Sequence, residues 1–387
     1  MAVDEDLRVS PEHLETVPTF DLRRFYLQRR GDNTVDARVK ERPALRVLAR
    51  LTDSFPFNLL WGDGGLVYIL AGYRRGKQLV EREGVTHLFS SFRPIADHAI
   101  AALLKRRFPQ LVWIADYRDL PVNRALDNVC WPRLQHAWQR RLLRRADLVT
   151  TVSEGLARQL RRYHPRVYVL PNGIGDFPDG LPPTPRSSKF TIAYIGSLYP
   201  DVQDGRPLLR SLRRLMAAGL IDRQQLQLVV AGRDNACWRR WARACQLEDC
   251  LLDLGFLPRA EALALQRRSH INLWLSWSLG PDQGILTAKL YEYLAARRPI
   301  LGLVNGTKDE EIDALFGRLR HCLLQYELHA DPDLLDTFLA EHYLRWTKGL
   351  PPPESIDAAG LAAFSWEQRM VGLMRVLGGK NSRTEEQ

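Results

Sequence analysis

The chain has 387 residues, more than one hydrophobic core usually organises, so two domains of similar size are expected. Hydrophobic residues at 45% and charged residues at 26% exclude a disordered chain, and no apolar run is long enough to span a bilayer. A formal charge of +10 favours anionic partners, nucleotide phosphates or lipid headgroups among them, while the acidic opening MAVDEDLRVS excludes a secretory signal or transit peptide and points to the cytoplasm.

Short apolar runs alternate with helical patterns along most of the chain, which predicts an α/β protein with parallel sheets. Strands are expected at HLFSS (87–91), LVWIAD (111–116), LVTTVS (148–153) and VYVLP (167–171), with helices beginning near Pro94, Pro132 and Glu154 between them. The Pro- and Gly-rich stretch PNGIGDFPDGLPPTPRSSKF (171–190) reads as a linker. Beyond it strands are expected at TIAYIGS (191–197), LQLVVAG (226–232), LLDLGF (251–256), INLWLSW (271–277) and PILGLV (299–304). Trp238, Trp241, Ala242 and Cys245 recur at helical spacing and predict a core-facing stripe, and Arg210, Arg213 and Arg214 a solvated helix face. The last helix, FSWEQRMVGLMRVL (364–377), opens on Ser365 as its cap and aligns Met370, Leu373 and Val376. The first sixty residues lack the strand, Gly-rich turn and helix with which a doubly wound domain begins. The five cysteines form neither a CxxC pair nor a Cys/His ladder, which predicts reduced thiols and no structural metal.

The most specific signal is GILTAKLYEYLAARRPILGLV (284–304), preceded by INLWLSWS (271–278). With IAYIGSLY (192–199), LVVAGR (228–233) and, in the first half, FSSFRPIADHAIAALLKRRFPQLVWIADYRD (89–119), it resembles bacterial glycosyltransferase family 4 (group 1), over roughly residues 60–378. That resemblance implies the GT-B fold: two Rossmann-like domains facing across a cleft, here with a first domain lacking its opening βα unit. The expected division is 1–175 for the acceptor side, 176–190 for the linker, 191–350 for donor binding, and 351–387 for a terminal helix packing back on the first domain.

The implied activity is retaining transfer of a sugar from a nucleotide-sugar donor to a glycan or lipid-linked acceptor, in cell-surface polysaccharide or glycolipid assembly. It needs no metal cofactor if cationic side chains and helix-start amides stabilise the diphosphate. Gly284 permits close backbone approach, Lys289 offers a point charge and Thr287 begins the helix. Glu292, one helical turn from Lys289, is assigned by the resemblance to the ribose hydroxyls, with an ion pair between the two as the alternative. Gly196 and Ser197 follow a strand, where open α/β sheets bind ligands, and Arg233 is the candidate guanidinium. In the first half the catalytic candidates are His98 and Asp119, against a core histidine and an Asp116–Arg118 pair holding a loop.

The family's Glu-x7-Glu pattern is broken, because Gly284 stands where its first carboxylate would be. This opens a second reading, a non-catalytic GT-B subunit that binds a nucleotide or a partner. The basic segment PRLQHAWQRRLLRRAD (132–147) suggests an anionic membrane surface as a further partner, either at the periphery of the inner face or as an ordinary solvated helix. No nucleic-acid recognition module is apparent.

Overall fold

The computed structural model describes residues 17, 43–62, 64–123, 127–175, 187–232 and 235–378. The chain divides into two compact units, Met1–Val169 and Leu170–Gln387, each built on its own parallel sheet.

The first unit opens, among the described residues, with three helices: α1 (Pro43–Asp53), α2 (Phe57–Leu60) and α3 (Gly65–Glu83). Four strands follow, β1 (His87–Phe92), β2 (Val112–Tyr117), β3 (Leu148–Thr151) and β4 (Val167–Val169), paired in the order β1-β2-β3-β4. The crossovers are α4 (Ile95–Arg107), α5 (Pro132–Leu143) and α6 (Glu154–Leu160), which begin at or next to the expected positions. Ser153 caps α6 by accepting the Leu156 amide at 3.2 Å. Strand β3 is buried along its whole length, which is why its sequence reads as an apolar and β-branched run without polar alternation. No strand precedes His87 among the described residues.

The second unit carries β5 (Phe190–Ile195), β6 (Leu226–Ala231), β7 (Leu251–Gly255), β8 (Ile271–Ser278), β9 (Ile300–Gly306) and β10 (Leu323–Tyr326), in the order β10-β9-β8-β5-β6-β7. Helices α7 (Arg206–Ala217), α8 (Ala236–Ala244), α9 (Arg259–Arg268), α10 (Ala288–Ala296), α11 (Glu310–Phe316) and α12 (Pro332–Thr347) connect or follow these strands. Helix α7 buries Leu208, Leu209, Leu212 and Leu215 and leaves Arg210, Arg213 and Arg214 outside, as its period predicts. Trp238 of α8 is core, with its ring centroid 5.2 Å from Tyr194 and 5.4 Å from Trp241. Strand β10 had no sequence signal, since LLQY is four residues long and lies at the sheet edge.

Residues 351–378, expected as a separate terminal segment, are grouped with the second unit. The physical reason lies at Phe364, which is buried with Tyr291 and Ile174 in that unit's core. The Ile174 amide donates to the Phe364 carbonyl at 2.8 Å, and the Trp366 amide donates back to Ile174 at 3.2 Å. Helix α13 (Ala358–Ala362) leads into Phe364, and α14 (Trp366–Gly378) ends the described chain. Ser365 caps α14 as predicted, accepting the Gln368 amide at 3.3 Å. Of the predicted stripe only Leu373 is buried; Met370 lies exposed.

Candidate functional site

In an open parallel sheet, ligands bind outside the carboxyl ends of the strands where the winding direction reverses. That point in the second unit lies between β5 and β8, because β5 is neighboured by β6 on one side and β8 on the other. The two strands pair only through Ile192 with Ile271 and Ala193 with Asn272. Beyond those positions β5 runs on to Ile195 and β8 to Ser278 without pairing with each other, so the two strands part at their carboxyl ends.

The turn after β5 forms one wall. Gly196 takes a φ of +123°, a conformation L side chains rarely adopt, and its amide donates to the Ala231 carbonyl at 2.6 Å. A side chain at Gly232 would run into the Gly196 carbonyl, so two successive strand ends approach each other backbone to backbone. Ser197 is exposed, and its carbonyl accepts the Tyr194 hydroxyl at 2.9 Å.

The other wall is the loop after β8 and the first turn of α10. The Lys289 ammonium sits directly over Gly196, where a Cβ would collide with it, and 4.5 Å from the centroid of the Tyr194 ring. It has no hydrogen-bond or ion-pair partner among the described residues. Burial pushes its pKa down to about 8, against the pull of the Glu292 charge. Thr287 occupies the N-cap position of α10, as expected, yet its hydroxyl accepts the Trp274 indole N–H at 3.1 Å in place of a helix amide. The Ala288 and Lys289 amides therefore keep their N–H groups without a protein partner among the described residues.

Glu292 does not close the ion pair with Lys289. Its Oε2 accepts from Gln266 Nε2 of α9 at 3.1 Å, leaving Oε1 without a protein partner among the described residues. Gly284 has a φ of +67° and donates its amide to Asp309 Oδ2 at 2.6 Å. Tyr291 and Tyr293 are packing residues, buried as expected, with the Tyr293 hydroxyl accepting the Ile195 amide at 3.1 Å. Arg233 lies outside the described residues. The structure thus brings Gly196, Lys289 and the start of α10 together at the switch point. Gln266 and Asp309 were missed, because contacts between elements far apart in the chain leave no periodic trace.

In the first unit His98 is 0% exposed. Its Nδ1 lies 2.8 Å from Ser90 Oγ, which also accepts the Trp113 indole at 2.8 Å, and the ring packs 4.6 Å from that of Tyr117. Burial lowers its pKa to about 3, so the imidazole is neutral at ordinary pH and holds Ser90 in place from within the core. Asp119 is exposed, without a side-chain partner among the described residues. Asp116 and Arg118 do pair, Nε to Oδ2 at 2.7 Å, and the same carboxylate accepts Thr150 Oγ1 at 2.7 Å. The loop-holding reading of that pair fits this geometry.

Among the described residues no group of three or more His, Cys, Asp and Glu side chains is placed to hold a metal ion.

The model of Glycosyltransferase Family 4 matches residues 25–175. No curated protein matches the chain. Among solved structures, it resembles sucrose-phosphate synthase of Thermosynechococcus elongatus with a TM-score of 0.53 at 15% identity, over 82% of this chain and 78% of that one. It also resembles the apo form of the lipopolysaccharide outer core galactosyltransferase WaaB, with a TM-score of 0.51 at 10% identity, over 81% of each chain. Identities this low speak for the fold. The chain thus has the GT-B fold of these structures.

Proposed function

We propose that the protein is a retaining glycosyltransferase that moves a sugar from a nucleotide-sugar donor to a glycan or lipid-linked acceptor in cell-surface polysaccharide or glycolipid assembly. The observation that carries this reading is the ammonium of Lys289 lying without a protein acceptor over the Gly196 backbone, at the carboxyl ends of β5 and β8. A desolvated cation beside unpaired helix-start amides is a site for the diphosphate of a leaving nucleotide. Lys289 offsets the phosphate charge, the Ala288 and Lys289 amides donate to its oxygens, and the free Glu292 oxygen accepts from the ribose hydroxyls. With this charge supplied by the chain itself, the proposed transfer is metal-independent, and the departing phosphate takes the acceptor proton.

The test is a thermal-shift panel with UDP, GDP, ADP and TDP, with and without magnesium, on the wild type and Glu292→Ala. One nucleotide is expected to raise the midpoint of the wild type, equally in EDTA, and to have no effect on the variant. A wild type that none of the four shifts removes the donor reading. Gly284, standing in place of a carboxylate, favours a second reading, a nucleotide-binding subunit without turnover. Nucleotide binding with neither donor hydrolysis nor transfer would select it.

We further propose that the acceptor is met at an anionic membrane surface, with the protein peripheral at the cytoplasmic face. On α5, Arg133, Arg140 and Arg141 are exposed together with Leu134, as is Arg144 at its C-terminal cap. Trp131, at the start of that helix, lies 6.1 Å from Phe57, which stacks on Trp61, and Leu66, Val67 and Leu70 of α3 are exposed as well. Arginines beside exposed tryptophans and aliphatics suit the interface of an anionic bilayer. No described helix is long and apolar enough to cross a membrane. Flotation with phosphatidylglycerol vesicles, but not phosphatidylcholine vesicles, is expected, and Arg140→Glu with Arg144→Glu is expected to abolish it.

A further inference from the structure

The loop that leads from β8 to α10 carries no regular structure across 279–287 beyond a tight turn closed by Leu279 and Asp282. Its last four residues are nonetheless tied down one by one, each by a different side chain. The Gly284 amide donates to Asp309 Oδ2 at 2.6 Å, and the Ile285 carbonyl accepts from Ser276 Oγ at 2.9 Å. The Leu286 carbonyl accepts from Asn172 Nδ2 at 3.3 Å, and the Thr287 hydroxyl from the Trp274 indole at 3.1 Å. Two residues later stands Lys289.

Asp309 is the one charged member of this set, and it is 3% exposed. Its carboxylate has two separate duties. Oδ1 caps α11, accepting the amides of Glu311 at 3.0 Å and Ile312 at 3.3 Å, while Oδ2 alone reaches across to Gly284. The two residues are 25 positions apart in the chain, so nothing local imposes this contact. Its partner amide belongs to a residue with positive φ, where the chain reverses direction before entering α10.

We propose that Asp309 is a positioning residue for the nucleotide site: by holding the Gly284 amide it sets the path of residues 284–287 and, through them, the placement of the α10 start and the Lys289 ammonium over Gly196. This rests on the donor reading given above. A buried carboxylate here also accounts for how the loop keeps its shape with glycine at position 284. The backbone N–H of that glycine takes the anchoring role, and the negative charge stays on the protein side of the loop.

Asp309→Asn separates the two duties. Asparagine caps helices as well as aspartate does, and two cap amides hold its oxygen toward α11. Its Nδ2 then faces the Gly284 N–H, donor against donor, so the tether is lost and the cap kept. Asp309→Ala loses both and serves as the reference for simple destabilisation. The experiment measures amide hydrogen exchange over residues 279–290 and calorimetric affinity for UDP, GDP, ADP and TDP, in the full chain.

For Asp309→Asn the expected result is a melting midpoint close to the wild type, faster exchange confined to 279–290, and a loss of nucleotide affinity of about tenfold or more. Unchanged exchange overturns the tether. Faster exchange with wild-type affinity overturns its link to the site. An affinity loss seen only in Asp309→Ala, in step with its melting midpoint, reduces Asp309 to a helix cap. If the wild type itself binds none of the four nucleotides, the donor reading fails and takes the affinity claim with it, while the exchange data still decide the tether on their own.

Discussion

Lys289 has the least ordinary environment of any side chain at the site. Its ammonium has an aromatic face and a glycine backbone for company and no protein acceptor among the described residues, and burial has lowered its pKa to about 8. The charged form is the one that binds phosphate. Below pH 8 the free site is protonated and nucleotide affinity is expected to be flat; above it, binding must first take up a proton. Affinity is then expected to fall by up to about tenfold per pH unit. Calorimetry between pH 6 and 9.5 checks this. Lys289→Ala is expected to weaken binding by about 10- to 100-fold at pH 7 and to remove the slope, since a charge-assisted hydrogen bond contributes about 1.5–3 kcal/mol. A slope that survives in the variant assigns the titration to another group. His98 presents the opposite case, a histidine closed off from solvent with its Nδ1 beside Ser90 Oγ.

The site depends on how closely the strand ends approach each other. Gly232 donates its amide to Gly255 at 2.7 Å while lying against the Gly196 carbonyl, so the ends of β5, β6 and β7 are linked through backbone alone. A methyl group at 232 meets backbone, which has little room to give. Gly232→Ala is therefore expected to cost about 1–3 kcal/mol in urea unfolding, and to weaken nucleotide binding by displacing the Gly196 turn. A control is Gly219→Ala, where nothing lies near the added carbon; its φ of +69° leaves a conformational cost without any effect on the nucleotide site.

On the scale of the whole molecule, each unit carries a histidine kept neutral by burial. Burial lowers the pKa of His98 in the first unit to about 3 and that of His342 in the second to about 4. Folded values below the ordinary 6.5 mean that the unfolded chain takes up protons the folded chain refuses. Stability is thus expected to be level above pH 7 and to fall as pH drops from 6.5 towards 4, by about 1.4 kcal/mol per pH unit for each histidine. Urea unfolding across pH 4–7.5 measures the slope, and His342→Phe, beside Phe338, is expected to reduce it by one proton. An unchanged slope in that variant assigns the acid sensitivity elsewhere.

Much of this was written locally in the chain. Apolar runs bounded by glycine and proline located nine strands, and the order of GILTAKLYEYLAARRPILGLV behind INLWLSWS marked the segment that carries the site, because strand and helix periods are properties of neighbouring residues. Lys289, Gly196 and Gly284 were legible on that account. Sequence could not tell that Lys289 lies on Gly196 and leaves Glu292 to Gln266, since on a helix surface the i,i+3 partner is the nearest candidate. Nor could it assign residues 351–378 to the second unit, find β10, or connect Asp309 to Gly284. Those contacts join parts of the chain that only the sheet order brings together, and the order of strands in a parallel sheet is settled by which crossovers can pack, a choice no single segment records.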